Sequence, residues 1–274
     1  MTVADHRERA EQTAKDSPWM SRLARLGLVT RGFLHVLVGW LAFRLAQGDV
    51  GRRADQQGAM ATLVRQPLGR FLVLGLAVGF LAYAGWRFVE AALDPEDKGA
   101  VKRVGCALRG TVYIFLFGSA MRMVVGGAKS AEGGSKTSDV TATVLGWPGG
   151  RFLVVAAGLV LLGQGVWNGY RGVTQKFEKD LKKFEMSEAQ RTWTGRIGSF
   201  GHLARMVAYF VVSFFLIRAA IRFEPDKGVG LDASLHELGG RSYGPWVLML
   251  VGLGLAAFGL YQFVLARYRE ILGD

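Results

Sequence analysis

The sequence predicts an all-α, polytopic integral membrane protein whose six transmembrane helices form three tandem hairpins. Three observations predict it: six apolar stretches of bilayer length, a basic excess gathered in alternate connections, and an internal repeat of one helix pair. Half of the 274 residues are hydrophobic, while Lys and Arg exceed Asp and Glu by 34 to 22, a formal charge of +12. Nucleic-acid binders gather such charge on a polar surface, whereas here arginines interrupt or flank apolar runs, so no nucleic-acid partner is expected. The one cysteine, Cys106, allows neither an intramolecular disulfide nor a thiolate metal cluster, and no metal or cofactor is expected.

A hydrocarbon core of about 30 Å takes about 20 helical residues. The segments that meet this length are Gly27 to Ala46, Phe71 to Leu93, Gly105 to Val125, Phe152 to Tyr170, Phe200 to Ile221 and Trp246 to Tyr268. Residues 1–22 are polar and charged, without the apolar core of a cleavable signal peptide, and read as a tail before the first crossing. Ser17 and Pro18 pair a helix cap with a first-turn proline, so the first helix is expected to begin ahead of the bilayer with Trp19 at the headgroups. Asp94-Pro95 stops the second helix, and Pro148 with Gly149 and Gly150 introduces the fourth.

Lys and Arg are enriched in cytoplasmic connections. The two tails and the second and fourth connections carry sixteen of them, against ten on the other side. Both termini are therefore expected in the cytoplasm, with the chain in the plasma or inner membrane. The fourth connection, residues 175–196, spaces Phe177, Leu181 and Phe184 at helical intervals beneath many lysines. It is expected to be a basic amphipathic helix, either on an anionic leaflet or solvated between repeats.

An internal repeat organises the rest. GLVTRG at Gly27 recurs as GCALRG at Gly105 and more weakly as GHLARM at Gly201. A glycine thus precedes Arg31, Arg109 and Arg205 by four residues, and a further arginine follows thirteen residues later, as Arg44, Arg122 and Arg218. His35 aligns with Tyr113 and Tyr209. Among the second helices, ATLVRQPLGRFLV at Ala61 matches ATVLGWPGGRFLV at Ala142, and Gly244 takes the place of Gly69 and Gly150. Trp86 aligns with Trp167 and Tyr261, and Arg87 with Asn168 and Gln262. The repeats span 23–94, 101–174 and 197–270.

The tripled hairpin, with its G-x-x-x-R opening and its P-x-G-R-F second helix, resembles the bacterial membrane family known as domain of unknown function 1206. The resemblance covers all three repeats and implies six membrane helices in three tandem units; it carries over no catalytic or ligand residues. Copy three departs from the pattern, with Pro245-Trp246 in place of Arg-Phe and Met206 in place of glycine. Two crossings per unit mean that every copy enters from the same side, so an axis along the membrane normal relates them and a pseudo-threefold bundle is expected.

Eight arginines fall within the crossings, against the single acid Glu90. Thirteen residues at 1.5 Å put the two arginine layers about 20 Å apart. The outer layer, Arg44, Arg122 and Arg218, is expected to reach headgroup phosphate by snorkelling. The inner layer, Arg31, Arg109 and Arg205, follows a small residue by one turn and is expected to pack between helices, with Arg87, Glu90 and His35 nearby. One acid cannot neutralise this set, which leaves helix carbonyls or a bound anion, lipid phosphate first.

His35 and His202 read as buried hydrogen-bonding histidines rather than haem ligands. The glycines of GLAVGFLAYAG, and Gly252, Gly254 and Gly259, read as helix-packing surfaces. No hydrolase motif survives placement on helices, so the chain is not expected to be an enzyme. The expectation is a noncatalytic membrane module that binds anionic lipid headgroups or a membrane-protein partner. The alternative is an anion or small-solute channel or transporter.

Overall fold

Pro18 opens the first helix, as its fixed φ suits a first turn. The computed structural model describes residues 18–48, 55–66, 68–93, 99–132, 141, 143–222, 231–240 and 243–269. Among the described residues these helices follow one another: α1 Pro18–Ala46, α2 Gln56–Val64, α3 Gly69–Leu93, α4 Gly99–Glu132, α5 Gly150–Thr174, α6 Glu188–Arg222, α7 Leu231–Gly239 and α8 Gly244–Tyr268. Six of them, α1, α3, α4, α5, α6 and α8, are long and apolar enough to cross a membrane. Each expected crossing falls inside one of these, and α3 ends at Leu93, ahead of Asp94-Pro95.

The short α2 packs against α4, α3 and α1, and the short α7 against α8 and α6. Asp55 caps α2 by accepting from the Gly58 N–H at 2.7 Å. The chain then reverses tightly in each copy, and the repeat explains how. A Cβ added at Gly69, Gly150 or Gly244 would strike the carbonyl oxygen of Leu63, Val144 or Leu238, each six residues back. The recurring glycine is there because backbone passes over backbone.

Packing follows the repeat. The most extensive helix contacts join successive hairpins: α3 with α4, α5 with α6, and α8 with α1. At one matched height in all three, a small residue meets a large one. A Cβ on Gly110 would stand 3.0 Å from the Phe88 ring, and one on Gly32 2.8 Å from the Phe263 ring. In the third interface the partners are exchanged, with Gly169 beneath Met206. The departure at Met206 is therefore a size swap within one interface. Along α1 and α8, Gly32 faces Gly259 and Gly39 faces Gly252, which lets these backbones approach most closely.

Within hairpins, α1 packs on α3 and α6 on α8, but among the described residues α4 and α5 make no extended contact. The bundle is a pseudo-threefold ring open at its second hairpin, in the order α4, α3, α1, α8, α6, α5. One apolar cluster, from Leu34, Val38 and Leu41 to Met123, Ala208 and Leu255, fills the half nearer α2 and α7. A second, around Tyr83, Phe177, Phe258 and Tyr261, closes the end that carries Pro18 and Tyr268.

Three expectations need correction. Residues 175–196 are not one surface helix: short 3-10 turns at Lys176–Asp180 and Lys183–Glu185 lead into α6, which starts at Glu188. Phe177 and Leu181 are buried in the bundle and only Phe184 stays exposed, because a stacking partner and an aromatic floor are available inside. Among the glycines of α3, Gly79 packs against Thr30, but a Cβ at Gly75 or Gly85 would meet nothing within 4 Å. Arg218 pairs with Glu237 of α7 at 2.9 Å instead of reaching out alone.

Candidate functional site: the arginine layer

The helix register turns Arg31, Arg109 and Arg205 toward the middle of the ring, where Arg87 of α3 joins them. Arg109 and Arg31 are within mutual electrostatic reach, both also feel Arg87, and Tyr209 feels Arg31, Arg109 and Arg205 together. The centre of this cluster is a phenol. Tyr83 Oη accepts from Arg31 Nη1 at 3.1 Å and from Arg87 Nε and Nη2 at 3.0 and 2.8 Å. Arg87 Nη1 donates to Glu90 at 2.6 Å, one helical turn on, with both side chains largely buried.

Aromatic faces carry much of the remaining charge. The Arg205 guanidinium lies 4.2 Å from the Phe258 ring centre and donates to Tyr209 Oη at 2.7 Å. Arg31 lies 5.8 Å from the same ring, so Phe258 stands between two arginines. Arg87 is 4.5 Å from the Trp86 ring. Arg31 Nε is buried without a hydrogen-bond partner among the described residues. Arg109 differs from the other two in being exposed.

His35 donates from Nδ1 to the Arg31 carbonyl at 2.7 Å, which ties the ring to its own helix. His202 meets Asn168 Oδ1 at 3.1 Å and stacks on Phe177 at 5.0 Å. Asn168 occupies the position of Arg87, as does buried Gln262, so this height stays polar in all three copies. Tyr261 Oη donates to the Phe177 carbonyl at 3.3 Å, and the Lys182 N–H donates to Tyr268 O at 2.8 Å. The linker is thereby tied to the end of α8.

In the outer layer Arg44 lies over Trp40 at 5.7 Å, Arg122 is exposed, and Arg218 holds Glu237. Two other arginines take helix-end carbonyls, where backbone acceptors lack intrahelical donors. Arg103 donates to Ala91 and Ala92 at 2.9 and 3.3 Å, and Arg151 to Ala220 and Ile221 at 3.1 and 2.9 Å. The motif arginine of copy two thus binds the end of α6, the first helix of the following copy. Sequence reasoning missed Tyr83 and Phe258. They share one repeat position, four residues before the Arg87 and Gln262 position, and that spacing was the available signal.

Fold and site together define a class: a helical, multi-pass membrane protein of three tandem hairpins around an arginine cluster. The chain belongs to the family described as Domain of Unknown Function (DUF1206), whose model matches residues 26–94, 104–175 and 200–269. It is 30% identical over 259 residues to "Uncharacterized protein YxxB" of Bacillus subtilis (strain 168), covering 93% of both chains. No solved structure matches it.

Proposed function

We propose that the protein is a noncatalytic membrane module that takes an anionic phosphate headgroup at its arginine layer. The observation that carries this reading is the charge balance around Tyr83: Arg31, Arg87, Arg109 and Arg205 converge where Glu90 is the acid in contact. Guanidinium groups in a low-dielectric setting need anionic partners, and phosphate offers the paired acceptors that fit them. The N-terminal side of the bundle, which bears this layer, faces the cytoplasm of a plasma or inner membrane, consistent with the basic tails and connections.

The apolar cluster filling the other half of the ring disfavours a continuous anion path. Catalysis is disfavoured too, since Glu90 is held by Arg87 and His35 Nδ1 by backbone. Native mass spectrometry from mild detergent tests the reading. Phospholipid adducts should diminish when Arg31, Arg109 and Arg205 are all changed to Ala, and adducts of undiminished intensity would refute it.

A further inference from the structure

The second hairpin differs from its sisters in a way that its sequence encodes. In hairpins one and three, small residues meet where the two helices cross: Gly79 lies on Thr30, and Gly254 on Ala204. The same repeat positions in hairpin two are Val160 and Leu108. Likewise Gly27 receives Tyr83 and Gly201 receives Phe258, with an added Cβ 2.7 and 2.6 Å from them. Gly105, the counterpart in α4, would find only Arg109 of its own helix, at 3.8 Å. The residue that should reach it from α5 is exposed Gln164.

Burial agrees at the positions that line this crossing. Trp86 and Tyr261 are 3% and 1% exposed, and their counterpart Trp167 is 54% exposed. Leu108 is 62% and Val160 66% exposed. Leu34 and Ala208 are buried, whereas their counterpart Val112 is 55% exposed. Bulky, branched residues keep α4 and α5 from the close crossing made by the other two pairs. An interface that two copies fill with their own side chains is left unfilled in the third.

Exposed Arg109 lies at this opening, about 9 Å along the helix from Arg103 at 1.5 Å per residue. Beyond it, one turn deeper, the lining is apolar. We infer that the opening between α4 and α5 seats one anionic phospholipid. Its phosphate lies on Arg109, at the height of Leu108 and Val160, and its acyl chains run past exposed Val112 toward the bilayer centre. This rests on the phosphate-binding reading above. The order of the lining, charge near the membrane surface and hydrocarbon beneath, matches a phospholipid of that leaflet and not a free anion. A second copy would suit the opening poorly, since symmetric pairing turns Arg109 on itself and neither crossing Arg103–Gly126 nor Gly150–Thr174 contains an acid.

The test restores the sister hairpins' packing with Leu108→Ala and Val160→Gly, and separately blocks the opening with Gln164→Trp. Protein reconstituted in vesicles of phosphatidylglycerol and phosphatidylethanolamine is extracted and read by native mass spectrometry. Both variants should stay folded and lose phosphatidylglycerol occupancy about tenfold, equivalent to about 1.4 kcal/mol. Added inorganic phosphate should leave the wild-type melting temperature unchanged.

Occupancy retained in both variants but lost in the Arg31/Arg109/Arg205 triple variant would overturn this seat and spare the phosphate reading. Occupancy insensitive to the triple variant would overturn that reading as well. Phosphate-induced stabilisation would point to a free anion. A wild-type dimer that these variants dissociate would make the opening a self-association surface, and either result overturns the proposal.

Discussion

Met206 lies on Gly169 with large and small residues exchanged relative to Gly110 on Phe88 and Gly32 on Phe263. The three interfaces conserve the summed volume of a contact, not the residue on either helix, as close packing requires. Gly169→Phe should therefore overpack α5 against α6 and cost about 1–3 kcal/mol. Adding Met206→Gly should recover most of that loss, because contacting residues couple. Thermal unfolding of the two single variants and the double variant measures the coupling, and additive losses would count against the exchange.

The reversing glycine offers a second check. Gly150→Ala places a methyl group against the Val144 carbonyl, a backbone atom that cannot rotate away. A loss of about 1–3 kcal/mol is expected. Gly163→Ala, on the same helix with nothing within 4 Å of the new Cβ, should change stability by no more than about 0.5 kcal/mol. Equal melting temperatures for the two would remove the argument for the backbone crossing.

Tyr83→Phe deletes the oxygen that accepts from both Arg31 and Arg87. Arg87 keeps Glu90, while Arg31 loses its side-chain acceptor. Buried donors stripped of an acceptor cost about 1–3 kcal/mol or more when charged. Denaturation in detergent should show that loss, and a neutral result would mean that the phenol is not what holds the layer together.

Phe177→Ala empties a site formed by His202, Tyr261 and the small Gly198. Large-to-small changes of a buried Phe cost about 3–5 kcal/mol. Limited proteolysis should cut the linker between Lys176 and Glu185 in the variant and spare it in the parent protein. A linker that is cut equally in both would place Phe177 outside the core.

Six crossings return the chain to the side on which it began. With Cys106 replaced by Ser, thiols at exposed Arg22→Cys and Arg267→Cys should be labelled by an impermeant reagent from one face of sealed vesicles only. Labelling of the two from opposite faces would break the even count.

The crossings were legible because hydrocarbon thickness fixes helix length, and the repeat was legible because matched heights recur as matched letters. The inner arginines were legible for the same reason: Gly27, Gly105 and Gly201 announce them. Phe177 was not. Its spacing with Leu181 and Phe184 fits an amphipathic helix as well as it fits two 3-10 turns, and only the waiting ring of His202 decides between them.

By itself the sequence determined how many helices cross, where they reverse and at what height the guanidinium groups stand, since each is set locally by length, glycine and period. Tertiary structure alone decided which helices touch. Whether Leu108 and Val160 meet as Thr30 and Gly79 do depends on volumes contributed by segments far apart in the chain, and those volumes leave the second hairpin open.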